Sequence, residues 1–163
     1  MISNREFGEA SAITLAALTL LTTLIATPAE AGLGEPEHSI ARDRERHQAR
    51  SQQIAGNGYD VHKLQMADGT RINEYVGPDK RVFAVSWNAL HKPDLSLLLG
   101  NSYATYDAQA RIAGAGKGLV RSYHHRSEDL VVQMSGHLHV YNGYAYHPSL
   151  LPAGFNESRL GQE

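Results

Sequence analysis

The chain has 163 residues, with 15 basic and 17 acidic side chains, nine histidines and no cysteine, a size that fits one domain. The near-balance of charge leaves no electrostatic footprint for nucleic acid and no basic stripe for anionic lipid. The missing cysteines exclude a disulfide framework, thiolate metal ligands and a lipid-anchored cysteine.

The first predicted element is a leader. Ile13 to Ala26 reads ITLAALTLLTTLIA, 14 residues without charge, followed by TPAEA, in which Ala29 and Ala31 supply the small residues of an A-x-A cleavage site. That is the layout of a secretory signal peptide over residues 1–31. A bilayer-spanning helix takes ~20 apolar residues, so no permanent membrane span is expected after cleavage. The segment ahead of the run is off pattern, since Arg5 is accompanied by Glu6 and Glu9. Cutting after Ala31 removes one arginine and three glutamates, which leaves 14 basic and 14 acidic residues on a chain of 132. Such a chain buries a core without covalent staples. Its expected location is the periplasm or the exterior.

Residues 32–58 read as a polar arm or solvated helix, because RDRERHQAR, Arg42 to Arg50, alternates in sign. Gly56-Asn57-Gly58 then punctuates, and the globular domain is predicted over 59–155 with a tail at 156–163. YDVHKLQMADGTRINEYV reads as a hairpin turning tightly at Asp68-Gly69, which sets Lys63 opposite Glu74 and Val61 opposite Val76. After a turn at Gly77 to Lys80, RVFAVSW gives a third strand with Phe83, Val85 and Trp87 on one face. From Leu95 to Ile112 an apolar stripe of Leu95, Leu98, Leu99, Tyr103, Tyr106 and Ala110 recurs at helical spacing. Asp94 is its expected N-cap, and a break at Gly100-Asn101 into two shorter helices is the alternative. GAGKG, Gly114 to Gly118, is a connector and not a phosphate loop, since Arg111 and Gly118 stand where that pattern needs Gly and Ser or Thr. LVRSYHH and DLVVQMSGHLHVY read as further strands. The fold class is therefore α+β: an antiparallel sheet of five to six strands, in the order β-β-β-α-β-β, with one helix on a face.

His137 and His139 form His-x-His, which on a strand points both imidazoles to one face. Zinc sites use such pairs with a third ligand. Asn142-Gly143 is the strongest short hairpin signal in the chain. A two-residue turn there puts Tyr141 opposite Tyr144 and His139 opposite Tyr146. One ribbon face then carries His137, His139, Tyr141, Tyr144 and Tyr146, and His147 points away with Leu138, Val140 and Ala145. His124, His125, Glu128 or Asp129 would have to complete a metal site. No catalytic set is assembled: there is no G-x-S-x-G elbow, Ser135 beside His137 lacks an orienting group, and Glu128 and Asp129 diverge along a strand.

Taken together, AGLG at Ala31–Gly34, YDVHKLQMADGTRINEYV, RVFAVSWNALHKPDLSLLLGNSY and DLVVQMSGHLHVYNGYAYHPSLLPAGF resemble the bacterial domain-of-unknown-function 2844 family, small exported proteins of Gram-negative bacteria. The resemblance runs from about Leu33 to the end. Its recurrent positions are Phe83, Trp87, Pro93, Asp94, Leu99, Gly100, Gly136, His137, Gly143, Pro152 and Gly154, and it implies no established activity. His139 and His147 fall outside that pattern. The expected function is a non-catalytic binding or accessory module of the envelope, without a cofactor, meeting an envelope protein or small ligand through Tyr141, Tyr144 and Tyr146. Two alternatives stand beside it: a metal-dependent hydrolase using His137 and His139 with distant ligands, and a structural or assembly factor.

Overall fold

The computed structural model describes residues 32–113, 122–137 and 139–161; the predicted signal peptide with Ala29 and Ala31, the Gly114–Gly118 connector and Leu138 lie outside them. Seven strands form one sheet: β1 (Arg50–Ala55), β2 (Asp60–Gln65), β3 (Arg71–Val76), β4 (Val82–Ala89), β5 (Ser122–Arg126), β6 (Val131–His137) and β7 (Val140–Tyr146). Their spatial order is β1-β2-β3-β4-β7-β6-β5, and every neighbouring pair is antiparallel. The helices are α1 (Ser39–Arg46), α2 (Leu95–Leu99) and α3 (Tyr103–Ile112). The α+β class and the antiparallel sheet match expectation. The strand count and element order do not, because residues 32–58, expected as a polar arm or solvated helix, form both the helix α1 and the strand β1.

That segment is part of the domain. Leu33 is fully buried and Ile40 nearly so, and Gly34 N–H donates to the Val82 carbonyl while Val82 N–H donates to that of Glu35. The domain therefore begins before Tyr59, and its charge-rich surface conceals two apolar anchors. The tail is likewise built in, with Leu160 only 2% exposed.

Each sheet face has its own core. On one, Leu95, Leu98, Leu99, Tyr106 and Ala110 of α2 and α3, with Ile40 of α1, pack on Leu64, Ile72, Val85, Trp87, Val132 and Ala145. On the other, Leu150, Leu151, Phe155 and Leu160 cover Val61, Tyr75, Phe83, Ala84, Val131 and Tyr146. Full burial of side chains such as Leu99 or Phe83 contributes roughly 2–3 kcal/mol each. Asp94 caps α2 as expected, its Oδ1 accepting from Ser96 N–H at 2.9 Å. The helix breaks at Gly100, where φ is +49 and a 3-10 turn, Gly100–Ser102, intervenes. Gly32 lies against this break: a Cβ there would sit 2.7 Å from the Leu97 oxygen.

Three register expectations are corrected. The β2–β3 loop has three residues, Ala67 to Gly69, between Met66 and Thr70, whose backbones bond at 2.9 Å. Gly69 takes a left-handed φ of +89 and Asp68 Oδ1 accepts from Thr70 N–H, the pattern of a turn closed by a glycine bulge. Val61 consequently faces Tyr75, His62 faces Glu74 and Lys63 faces Asn73, so the Lys63–Glu74 pair does not form. In β4 a bulge leaves Phe83 without a partner on β3, between Val82 and Ala84. It turns Phe83 to the tail-side core, away from Val85 and Trp87. Finally, β6 and β7 reverse between His137 and Val140, not at Asn142-Gly143. Asn142 and Gly143 sit inside β7, opposite Asn88 and Trp87 of β4. A Cβ at Gly143 would lie 2.3 Å from Trp87 Cζ2, so this glycine makes room for an indole and not for a turn.

Candidate functional site

The register orders the tail-side face into rows of directly opposed residues. The row Ile54, Val61, Tyr75, Ala84, Tyr146 and Val131 is apolar and ends on Arg126 of β5, and the tail covers most of it. Two residues further along each strand, on the same face, runs Gln52, Lys63, Asn73, Ser86, Tyr144, Gln133 and His124. Two further again come Arg50, Gln65, Arg71, Asn88, Asn142, Ser135 and Ser122. In this last row all but the half-buried Asn88 are exposed, and Leu160 and Gly161 of the tail border it beside Asn88, Ser135 and Asn142. Seven strands at the usual spacing make each row about 29 Å long.

Neither polar row contains a carboxylate. The strand acids Asp60 and Glu74 alternate to the helix side, as Val61 and Tyr75 between them face the tail. Two depressions follow the rows. One, of about 290 Å³, is lined by Arg50, Gln52, Lys63, Gln65, Arg71, Asn73 and Asn88. The other, of about 320 Å³, is lined by Asn88, Gln133, Ser135, Asn142 and Tyr144. Asn88 lies between them and borders both. Neither Arg50 nor Arg71 is held in an ion pair among the described residues. Amide side chains both donate and accept hydrogen bonds, and guanidinium groups grip carboxylate or phosphate through paired donors. The chemistry of this trough is that of a ligand rich in hydroxyls and negative charge.

At the other end of β4 four segments meet. Ser102, from the 3-10 turn, places its Oγ 2.9 Å from Nε2 of His147, just past β7. His147 Nδ1 lies 2.6 Å from the Asp129 carbonyl oxygen. Asn101 donates to Glu35, and Arg81 donates twice to the Gly34 carbonyl, at 3.1 and 2.7 Å. These side chains line a cavity of about 520 Å³. Local sequence carries no signal for it, since Ser102 and His147 are 45 residues apart.

A buried acid stands apart from both places. Glu74 is 2% exposed and its Oε2 has no hydrogen-bond partner. Burial, with the nearby Asp43 of α1 adding to it, pushes its carboxyl up to about 8.

The predicted site residues are dispersed. His137 closes β6 and His139 lies in the reversal with φ +69, both exposed. Among the described residues no group of three or more His, Asp or Glu is placed to hold a metal. Tyr144 and Tyr146 share the tail-side face, with rings 6.3 Å apart and nearly parallel. Tyr146 is 1% exposed and donates to Glu157. Tyr141 points to the opposite face, where its ring covers Gly136. The three tyrosines therefore form no common surface.

No described helix is long and apolar enough to cross a membrane. In comparison with known proteins, a family model described as a protein of unknown function, DUF2844, matches residues 29–160. No curated protein and no solved structure matches the chain.

Proposed function

This chain belongs to the DUF2844 family, and we propose that it is an exported module of the cell envelope whose open sheet face binds an anionic, hydroxyl-rich polymer. The observation that carries the reading is the pair of polar rows. Arg50, Lys63 and Arg71 stand among the amides of Gln52, Gln65, Asn73, Asn88, Gln133 and Asn142, with no strand carboxylate on that face. A field of one sign over a low-dielectric wall concentrates counter-charged ligands, and the amides supply the neutral contacts that hydroxyls need. Export is supported by the charge-free run Ile13 to Ala26 followed by Ala29 and Ala31. The near-neutral total charge does not conflict with this, because the strand carboxylates Asp60 and Glu74 lie on the other face and Glu157 of the tail is paired with Arg126 and Tyr146.

The test is binding of the full chain to a polyuronate, with uncharged dextran as control. Polyuronate is expected to bind with an affinity that falls as salt rises, and dextran to bind far more weakly. Arg50→Glu with Arg71→Glu, both at exposed positions, is expected to weaken polyuronate binding at least ~10-fold, about 1.4 kcal/mol, at unchanged melting temperature. Equal binding by the doubly reversed protein, or no preference for polyuronate over dextran, would sink the reading.

A further inference from the structure

Ser102 stands at the amino end of α3, where a serine ordinarily caps the helix by accepting from a free amide of the first turn. It makes no such bond. Its Oγ is turned instead to His147 Nε2, at 2.9 Å. The other ring nitrogen, Nδ1, meets the Asp129 carbonyl oxygen at 2.6 Å. A carbonyl oxygen only accepts, so Nδ1 carries the ring proton, Nε2 presents its lone pair, and the Ser102 hydroxyl donates to it. That is the polarity in which an imidazole acts as general base toward a hydroxyl nucleophile, with a third group fixing its tautomer.

The pair sits in a cavity wall, with Ser102 8% exposed and His147 half-buried. A Cβ on Gly34, whose φ is +87, would lie 3.2 Å from Nε2, so glycine is what lets the amino-terminal segment pass so close to the ring. The cavity of about 520 Å³ is in the range of small-molecule sites. In its wall Arg81 is engaged with the Gly34 carbonyl and Asn101 with Glu35, so it is their remaining N–H groups and the Thr105 hydroxyl that are left to meet a developing oxyanion. The amino end of α3 also favours negative charge. Leu33 is fully buried, so Pro36 is the apolar side chain the lining exposes, which suits a short acyl group and not a long chain.

We propose that Ser102 is a nucleophile activated by His147, and that the cavity accepts a short-chain carboxylic ester. Oγ attacks the carbonyl carbon while Nε2 takes the hydroxyl proton. The bond from that carbon to the alkoxy oxygen then breaks, and the departing alcohol leaves with the proton from Nε2. Water attacks the acyl-serine, losing a proton to Nε2, and the carboxylic acid departs as Nε2 returns that proton to Oγ. The third group is a neutral carbonyl, which orients the ring without adding the negative charge that would stabilise an imidazolium. Turnover is therefore expected to be slow, and acylation is the step to read.

The experiment treats the folded full chain with a fluorophosphonate, from which Oγ displaces fluoride as Nε2 takes its proton, and maps the adduct by mass spectrometry. The expected result is one adduct per chain, on Ser102. It should be absent in Ser102→Ala and at least ~100-fold slower in His147→Asn, in line with loss of a general base. In parallel, p-nitrophenyl acetate should acylate Ser102 and release p-nitrophenol. No adduct on Ser102 of the folded wild type after a day in large excess of probe overturns the proposal. So does an adduct confined to another residue, or labelling of a folded His147→Asn variant at the wild-type rate. Because the wild-type measurement needs no variant, a substitution that unfolds the chain leaves the outcome decided.

Discussion

Gly143→Ala is expected to remove about 3 kcal/mol or more of folding stability, the upper range for forcing an extra methyl into a packed interior. The added carbon would lie 2.3 and 2.6 Å from Trp87 Cζ2 and Cε2, and 2.7 Å from the Gln133 carbonyl oxygen. One obstacle is a rigid indole that is itself 4% exposed. The other is strand backbone in β6, so neither gives way cheaply. Urea unfolding should show a lower midpoint at unchanged slope. Gly136→Ala is the contrast: its nearest obstacle is the Tyr141 ring, at 2.9 Å, a half-exposed side chain that can swing aside. If both substitutions cost the same, the indole is not what requires glycine in the middle of β7. A double-mutant cycle of Gly143→Ala with Trp87→Ala should be strongly non-additive, because the new methyl would occupy space the indole has left.

The second large effect is the pH dependence set by Glu74. In the unfolded chain its carboxyl ionises near the usual 4.5, whereas in the fold burial, and next Asp43, hold the proton on until about 8. Between those values the unfolded state has released a proton that the folded state keeps, so rising pH favours unfolding. The stabilising contribution is complete below about 4.5, declines through the interval and is exhausted above about 8. A displacement of that size corresponds to at most roughly 5 kcal/mol. His62, opposite Glu74 on β2, is hydrogen-bonded to Glu37, and Asp43 is the acid facing from α1. Glu74→Gln keeps the shape and removes the titration. It is expected to flatten the stability profile between about pH 5 and 8 and to make the variant the more stable protein at the alkaline end. An unchanged slope in the variant would assign the pH dependence to other groups.

Local features were legible from sequence and long-range ones were not, for physical reasons visible at particular residues. Asp94 as a cap and the Leu95–Ala110 stripe depend on neighbours within a turn, and both stand in the structure. The α+β class follows from the change of period at Pro93-Asp94. Register depends on a single residue of loop length, and Ala67 to Gly69 with three residues in place of two moved Glu74 from facing Lys63 to facing His62. Asn142-Gly143 has the chemistry of a hairpin turn, yet the indole arriving from β4 sets a different need for the same glycine. The phase change at Phe83 comes from a bulge that alternation alone does not reveal. The polar rows exist only once six pairings are known, since each strand contributes just one residue to a row. Ser102 and His147 are joined by tertiary packing alone. The anchors Leu33 and Ile40 were hidden by the charges that surround them in the chain.

Leu33 and Leu160, both buried and far apart in sequence, also bear on the order in which the fold is completed. Leu33 N–H finds its acceptor at the Leu98 carbonyl, and Tyr59 meets Arg159 across 100 residues. Segments early in the chain wait for distant ones, and the tail-side core closes only when Phe155 and Leu160 have docked. Such distant pairings fold slowly compared with local ones. The tail-side face of the sheet therefore stays uncovered until the segment carrying Phe155 and Leu160 has joined it.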